Sequence, residues 1–276
     1  MGPWQPKKIR SAKDALSSST GAARVDTDQG PAYAKLLGNP EGSQALFCEW
    51  VGTMAAAWLG LPTFSIAVVD VSEPGLVTYA DGSSSNEGPA FVARSQDGIT
   101  WGGSSKELEF VENPEALSGL IVLDTWLLNC DRYRAEAGQV RRNIRNVFLS
   151  GDGAAKGKVR LLAMDHTHCF TCGRGLAKSI KNIDRIQDAR LYGNFPEFRP
   201  HLTHGAVAQY ARRLMTFKKE AAQALLHGIP PAWRPPAEIA AAVVEFVEGR
   251  AGFVGQNVRR MLVDHGDLQP ELDLEG

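Results

Sequence analysis

The chain has 276 residues, of which 43% are hydrophobic and 22% charged. That balance excludes wholesale disorder, a coiled coil and a collagen-like chain, and the length suits one large or two modest domains. Lys and Arg number 30 against 31 Asp and Glu, a formal net charge of −1, so no basic excess points to direct nucleic-acid binding.

In chain order, Met1 to Leu16 carries positive charge but no apolar segment, unlike a secretory leader. Residues 22–26 and 31–37 flank the turn Asp28-Gln29-Gly30 and predict a hairpin. From Ser43 to Leu59, Leu46, Phe47, Trp50, Val51, Met54 and Trp58 recur at helical spacing, and Gly60-Leu61-Pro62 stops the helix. Phe64 to Val71 predicts a buried strand. Gly75 to Ala80 and Pro89 to Ser95 predict weaker strands around the loop from Asp81 to Gly88. Asn113 as cap and Pro114 as first helical residue predict a helix to about Asn129. Residues 130–145 are polar and arginine-rich, which predicts a loop. Val147 to Ser150, Gly151-Asp152-Gly153 and Val159 to Met164 predict strand, turn and strand. Residues 166–204 predict irregular chain with short helices. Helices are expected at about 205–227, 237–248 and 251–264, with an acidic tail beyond. No uncharged apolar run reaches the roughly 18 residues of a membrane-crossing helix. Four cysteines do not make a disulfide framework, so a cytoplasmic protein with reduced thiols is expected. The composition shift near 105–115 predicts an α+β chain in two lobes: residues 1–105, mostly antiparallel sheet with one helix, and 106–264, mostly helix. Residues 265–276 form the tail.

The second hairpin carries a geometric consequence. Asn146 precedes its first strand and Asp165 follows its second. Side chains facing each other across an antiparallel pair have Cβ atoms roughly 5 Å apart, so an amide and a carboxylate meet at the hairpin mouth. Asp131, in the loop leading to Asn146, can reach the same place. These hard oxygen donors suit Mg²⁺ and substrate phosphates. Read singly, each is also an ordinary turn or strand-end residue.

Leu128-Asn129-Cys130-Asp131-Arg132, Asn146-Val147-Phe148-Leu149 and Met164-Asp165-His166 together resemble the catalytic core of the HipA-like atypical kinases, whose relatives include the phosphatidylinositol kinases. Tyr33-Ala34-Lys35 on a strand, and Glu49 eleven residues before Gly60-Leu61-Pro62, resemble that family's lysine strand and the helix after it. The resemblance covers about residues 15–200 and implies a two-lobed protein-kinase-like fold that binds ATP between the lobes. It implies Asp131 as catalytic base, Asn146 and Asp165 as Mg²⁺ ligands, and Lys35 on the ATP phosphates, held by Glu49. Glu49 shares a helix face with the small residues Ala45, Gly52 and Ala56, which suits either solvent or a closely approaching element. Ser17-Ser18-Ser19-Thr20-Gly21 reads by composition as a flexible linker. The resemblance makes it the loop over the phosphates, with Ser18, Ser19 and Thr20 as donors and one hydroxyl open to autophosphorylation. Phe91, on the strand Pro89 to Ser95, would lie by the adenine.

The sequence departs from the family pattern between Asp131 and Asn146, where Tyr133 to Arg145 intervenes with Arg141, Arg142 and Arg145. Asn143 is therefore an alternative metal ligand. The arginines read as solvated charge or as a clamp for a phosphate or an acidic substrate. A competing constellation follows Asp165: His166-Thr167-His168-Cys169-Phe170-Thr171-Cys172 contains a Cys-x-x-Cys beside two histidines, compatible with zinc or a redox dithiol. Against zinc, no second cysteine pair follows, and His168 and Cys169 adjoin too closely to ligate together. Cys48 and Cys130 read as small buried apolar residues.

The expected function is transfer of the ATP γ-phosphoryl group to a hydroxyl, with ATP and Mg²⁺ as cofactors and a protein Ser or Thr as acceptor. The alternatives are a pseudokinase or nucleotide-dependent interaction module, a lipid kinase and a zinc-binding module. HipA-like kinases are often toxins, which implies a separate antitoxin or regulatory partner. No domain is expected before residue 15, and no membrane partner is expected.

Overall fold

The computed structural model describes residues 4–16, 18–136, 138–170 and 174–269. Strands β1 (Ile9–Ala15), β2 (Ala23–Thr27), β3 (Gly30–Lys35), β4 (Ile66–Val71) and β5 (Gly88–Arg94) form an antiparallel sheet in the order β1-β2-β3-β5-β4. The Asp28-Gln29-Gly30 turn is where the sequence predicts it, with Gly30 at φ +101°. Side-chain alternation then decides which residues meet which core. Ala32, Ala34, Ala90 and Val92 face a small apolar cluster with Val25, Val69 and Tyr79. Phe91, directly opposite Lys35, faces the main core. Lys35 is thereby aimed at the helix side of the sheet.

That side is covered by α1 (Ser43–Leu59), whose bounds agree with the periodicity. Gly60, at φ +88°, closes it in a left-handed cap, with Leu61 N–H donating to the Ala56 carbonyl. A second sheet, β10-β9-β6, joins β6 (Gly98–Thr100), β9 (Val147–Ser150) and β10 (Arg160–Ala163). The outer edge of β10 is not left open. Ala163 N–H donates to the Pro62 carbonyl, and the Asn113 side chain pairs with both Leu161 N–H and Leu161 carbonyl. Asn113 is therefore a brace for an edge strand and not the expected helix cap. Its helix, α3 (Glu115–Leu127), makes no side-chain cap bond.

Helix α3 is buried on all sides beyond Glu115 and packs against α1, α5 (His204–Met215) and α7 (Ala237–Asp264). Short helices α2 (Ser105–Leu108), α4 (Ile183–Ile186) and α6 (Lys219–Ala224) complete the helical C-terminal part. The two C-terminal helices expected either side of 249–250 are one. Arg250 is fully buried and donates to the carbonyls of Thr125, Arg185 and Ile186, so tertiary contacts carry the helix through Gly249. The long helix expected at 205–227 is split into α5 and α6. Residues 75–80 form no strand of the sheet; Thr78 makes only an isolated bridge to Ser84. The expected loop at 130–145 contains a hairpin, β7 (Tyr133–Glu136) and β8 (Gln139–Arg142). The result is a mixed α/β chain with an antiparallel sheet first and helices after. Among the described residues no helix is long and apolar enough to cross a membrane.

Candidate active site

Four polar side chains from three distant segments converge where α1 passes under the end of β3. Lys35 Nζ donates to Glu49 Oε2 at 2.7 Å, Asp165 Oδ1 at 3.0 Å and Thr167 Oγ1 at 2.8 Å. The Thr167 hydroxyl lies 2.9 Å from Glu49 Oε2 and 3.2 Å from Asp165 Oδ1, so it accepts from Lys35 while donating to one carboxylate. Glu49 also accepts from His166 N–H at 3.1 Å. It is buried, not solvent-facing. The small face of α1 makes this possible, because a Cβ at Gly52 would collide with His166 Cβ.

Electrostatics hold Lys35 and Asp165 charged. Burial opposes a charge on Lys35, but Asp165 and Glu49 outweigh it and push the ammonium pKa up. Burial likewise opposes the charge on Asp165, and the Lys35 ammonium overrides it, holding the carboxyl well below the usual carboxylate range. His166 is the contrast. Burial, aided by the Arg132 charge, lowers its pKa to about 3, so the imidazole is neutral. Neither ring nitrogen has a hydrogen-bond partner among the described residues.

A second group lies at the end of α3. Leu128 takes φ +51° and turns the chain out of the helix. Asp131 follows, nearly buried. Its Oδ2 accepts from Asn146 Nδ2 at 3.0 Å and Asn143 Nδ2 at 3.2 Å, and its Oδ1 is paired with the Arg141 guanidinium. Asn143 and Asn146, the two candidate ligands of the sequence, thus touch the same carboxylate oxygen.

Arg132 links the two groups. It is fully buried, donates from Nε to Asp124 Oδ2 at 2.7 Å and reaches the carbonyls of Asn146 and Met164, the latter at 2.8 Å. One guanidinium therefore ties the start of β9 to the end of β10, where Val147 and Ala163 are in register. Asp165, next in the chain, takes φ +56°, a conformation Asp tolerates better than most residues. Among the described residues, Asn146 Oδ1 and Asp165 Oδ2 make no hydrogen bond. They are hard oxygen donors, so this donor set fits Mg²⁺.

The remaining candidates sit differently. Ser19 Oγ is 3.2 Å from His168 Nε2, and Ser18 Oγ accepts from Ala22 N–H at 3.2 Å. Both serines are exposed, whereas Thr20 is buried, and so is Phe91 within the main core. Ser17 and Cys172 lie outside the described residues. Cys48 and Cys169 are buried free thiols, their pKa values pushed up by burial. Among the described residues no group of three or more His, Cys, Asp or Glu is placed to hold a metal.

Thr167, Arg132 and Asp124 are absent from the sequence-based candidates. Asp124 carried a readable signal: a lone charge inside the apolar run Leu120 to Leu127 needs a buried partner. Thr167 carried none beyond its place two residues after Asp165.

A lysine locked between carboxylates, beside oxygen donors and a near-buried aspartate, is equipment suited to positioning and neutralising phosphates rather than to covalent chemistry. The comparisons agree. Residues 26–184, more than half of the chain, match the family model for HipA-like kinase. The chain belongs to the HipA-like kinase family, and the family implies ATP as phosphoryl donor. A solved structure, the proinflammatory kinase CtkA of Helicobacter pylori, matches with a TM-score of 0.59 over 96% of this chain and 99% of that chain. Identity is 10%, so this likeness is one of fold. No curated protein matches.

Proposed function

We propose that the chain transfers the γ-phosphoryl group of ATP to the hydroxyl of a protein Ser or Thr. The single observation that carries this reading is Lys35 Nζ held between Glu49 Oε2 and Asp165 Oδ1 by residues far apart in sequence. In this reading Lys35 contacts the α- and β-phosphates, and Glu49 and Thr167 fix its direction. Asn146 and Asp165 would hold Mg²⁺, which when bound neutralises charge on the transferring group. Asp131 orients the acceptor hydroxyl and takes its proton. The hydroxyl oxygen bonds to the γ-phosphorus as the bond to the β–γ bridging oxygen breaks, and ADP leaves. The loop holding Ser18, Ser19 and Thr20 covers the phosphates, and an exposed hydroxyl there is an autophosphorylation site.

The reading divides the chain into a nucleotide-binding lobe, 1–105, a helical lobe, 106–264, and a tail, 265–276. It is supported by the five-stranded sheet ending at Arg94 and the C-terminal helices starting at Ser105. The family resemblance supports a protein substrate and a separate antitoxin or regulatory partner, and the small cysteine count supports a cytoplasmic chain.

A second reading, nucleotide binding without transfer, draws on the engagement of both Asp131 oxygens by its own chain. Radiolabelled ATP separates the two. Wild type should label itself or a Ser/Thr acceptor, and Asp131→Ala should lower the rate at least about 100-fold while the fold stays intact. Equal labelling by both proteins would remove Asp131 from the chemistry, and no labelling by wild type would favour the second reading.

A further inference from the structure

The hairpin inserted between Asp131 and Asn146 does more than lengthen a loop. Alternation puts Tyr133 and Arg142, a cross-strand pair, on one face and Arg134 and Arg141 on the other. The first face is docked. The Arg142 guanidinium lies over the rings of Trp101 and Phe195 and donates to Glu197 and to the Gly103 carbonyl. The second face is thereby aimed towards Asp131, and Arg141 pairs with its Oδ1.

Two features of that face are unusual. Arg134 and Arg141 are direct cross-strand neighbours, and like charges opposite each other repel unless an anion lies between them. Among the described residues Arg134 makes one ion pair, a long 3.7 Å contact to Glu136. Arg145, exposed beside Asn146, makes no ion pair among the described residues. Meanwhile both Asp131 oxygens are engaged: Arg141 holds one, and Asn143 and Asn146 hold the other. An oxygen bonded to a guanidinium offers one lone pair fewer to an acceptor hydroxyl. The amide contacts are neutral and come from the base of the hairpin. The Arg141 contact is charged, and its side chain is 54% exposed. The open side lets another carboxylate reach the guanidinium, and the two amides stay on Asp131 when Arg141 leaves.

We infer that Arg141 and Arg134 form an acceptor-recognition site for acidic side chains flanking the phosphorylated hydroxyl, and that acceptor binding draws Arg141 off Asp131. Guanidinium groups bind carboxylates in a two-pronged geometry that suits this exchange. The acceptor's carboxylates replace Asp131 and Glu136 as partners of the two arginines, and the base is released as they bind. ATP without acceptor then meets an occupied base, which limits wasteful hydrolysis. The inference rests on the kinase reading and names the substrate class of the same site. An acidic protein segment fits better than a nucleic acid, because the basic cluster is local in a chain of net charge −1.

The test is transfer from Mg²⁺-ATP to Ser/Thr peptide libraries with either Asp/Glu or Lys/Arg fixed in the flanking positions. Wild type should favour the acidic library about tenfold in kcat/KM, the value of one or two exposed ion pairs. Arg141→Ala should raise kcat on the basic library and flatten the preference. The pair Arg134→Glu and Arg141→Glu should reverse it, an outcome that a merely structural role would not produce. Equal use of both libraries by wild type, with transfer intact, overturns the inference and leaves the kinase reading standing. A higher KM for ATP in Arg141→Ala with unchanged peptide preference assigns Arg141 to the nucleotide and also overturns it. No transfer by wild type or by Arg141→Ala overturns the reading beneath it as well.

Discussion

Two arginine–carboxylate pairs lie within one short stretch of this chain, and they are built for opposite tasks. Asp124 and Arg132 are both wholly buried, while Asp131 is buried and its partner Arg141 is half exposed. The pairs share their chemical groups and differ in the burial of the guanidinium and in the carbonyls that Arg132 also holds. A buried pair gains little net stability from its formation, yet breaking it strands a charge in a medium that cannot solvate it. An exposed pair can be exchanged for water or another anion at small cost. The first pair is therefore a rivet that aligns the ends of β9 and β10. The second can open.

That difference orders the expected effects of substitution. Arg132→Ala should be the most damaging, costing about 3–5 kcal/mol in urea denaturation, because it strands Asp124 and frees the carbonyls of Asn146 and Met164 together. A loss below about 1 kcal/mol would erase the distinction between the pairs. Gly52→Ala comes next. The added methyl meets His166 Cβ, and overpacking of this kind costs about 1–3 kcal/mol, read as a lower denaturation midpoint. It should also weaken ATP binding, since the segment displaced carries Asp165 and Thr167. Thr167→Val removes a hydroxyl bonded to Lys35 and to a carboxylate; it should cost about 1 kcal/mol of stability. Arg141→Ala should fall within about 0.5 kcal/mol of wild type. A large loss there would make the hairpin arginine structural.

The parts of the fold legible in sequence are those governed by local rules. The bounds of α1 follow from a stripe of bulky residues and a Gly-Leu-Pro stop, and the first hairpin follows from Asp28-Gln29-Gly30. Strands β1, β6, β7 and β8 are short or polar, and their pairing is decided by partners elsewhere in the chain. The continuity of α7 depends on Arg250 finding three distant carbonyls. The cap expected at Asn113 failed for a similar reason, because an open strand edge competes for the same amide.

For the site, the residue types and order pointed to Lys35, Glu49, Asp131, Asn146 and Asp165, but their roles came from resemblance to a family. What sequence did not reveal is the support: Thr167 bridging lysine and carboxylate, Arg132 reaching two strand ends, and Arg141 lying on Asp131. These depend on side-chain directions that only the packed chain sets.

The central claim is that Lys35 and Asp165 bind nucleotide while Asp131 serves the chemistry. Calorimetric titration of Mg²⁺-ATP into wild type, Lys35→Met, Asp165→Asn and Asp131→Ala tests it most directly. Loss of a charge-assisted contact should weaken affinity about tenfold or more in Lys35→Met and Asp165→Asn, and Asp131→Ala should bind as wild type does. Undiminished affinity in Lys35→Met and Asp165→Asn would contradict the account.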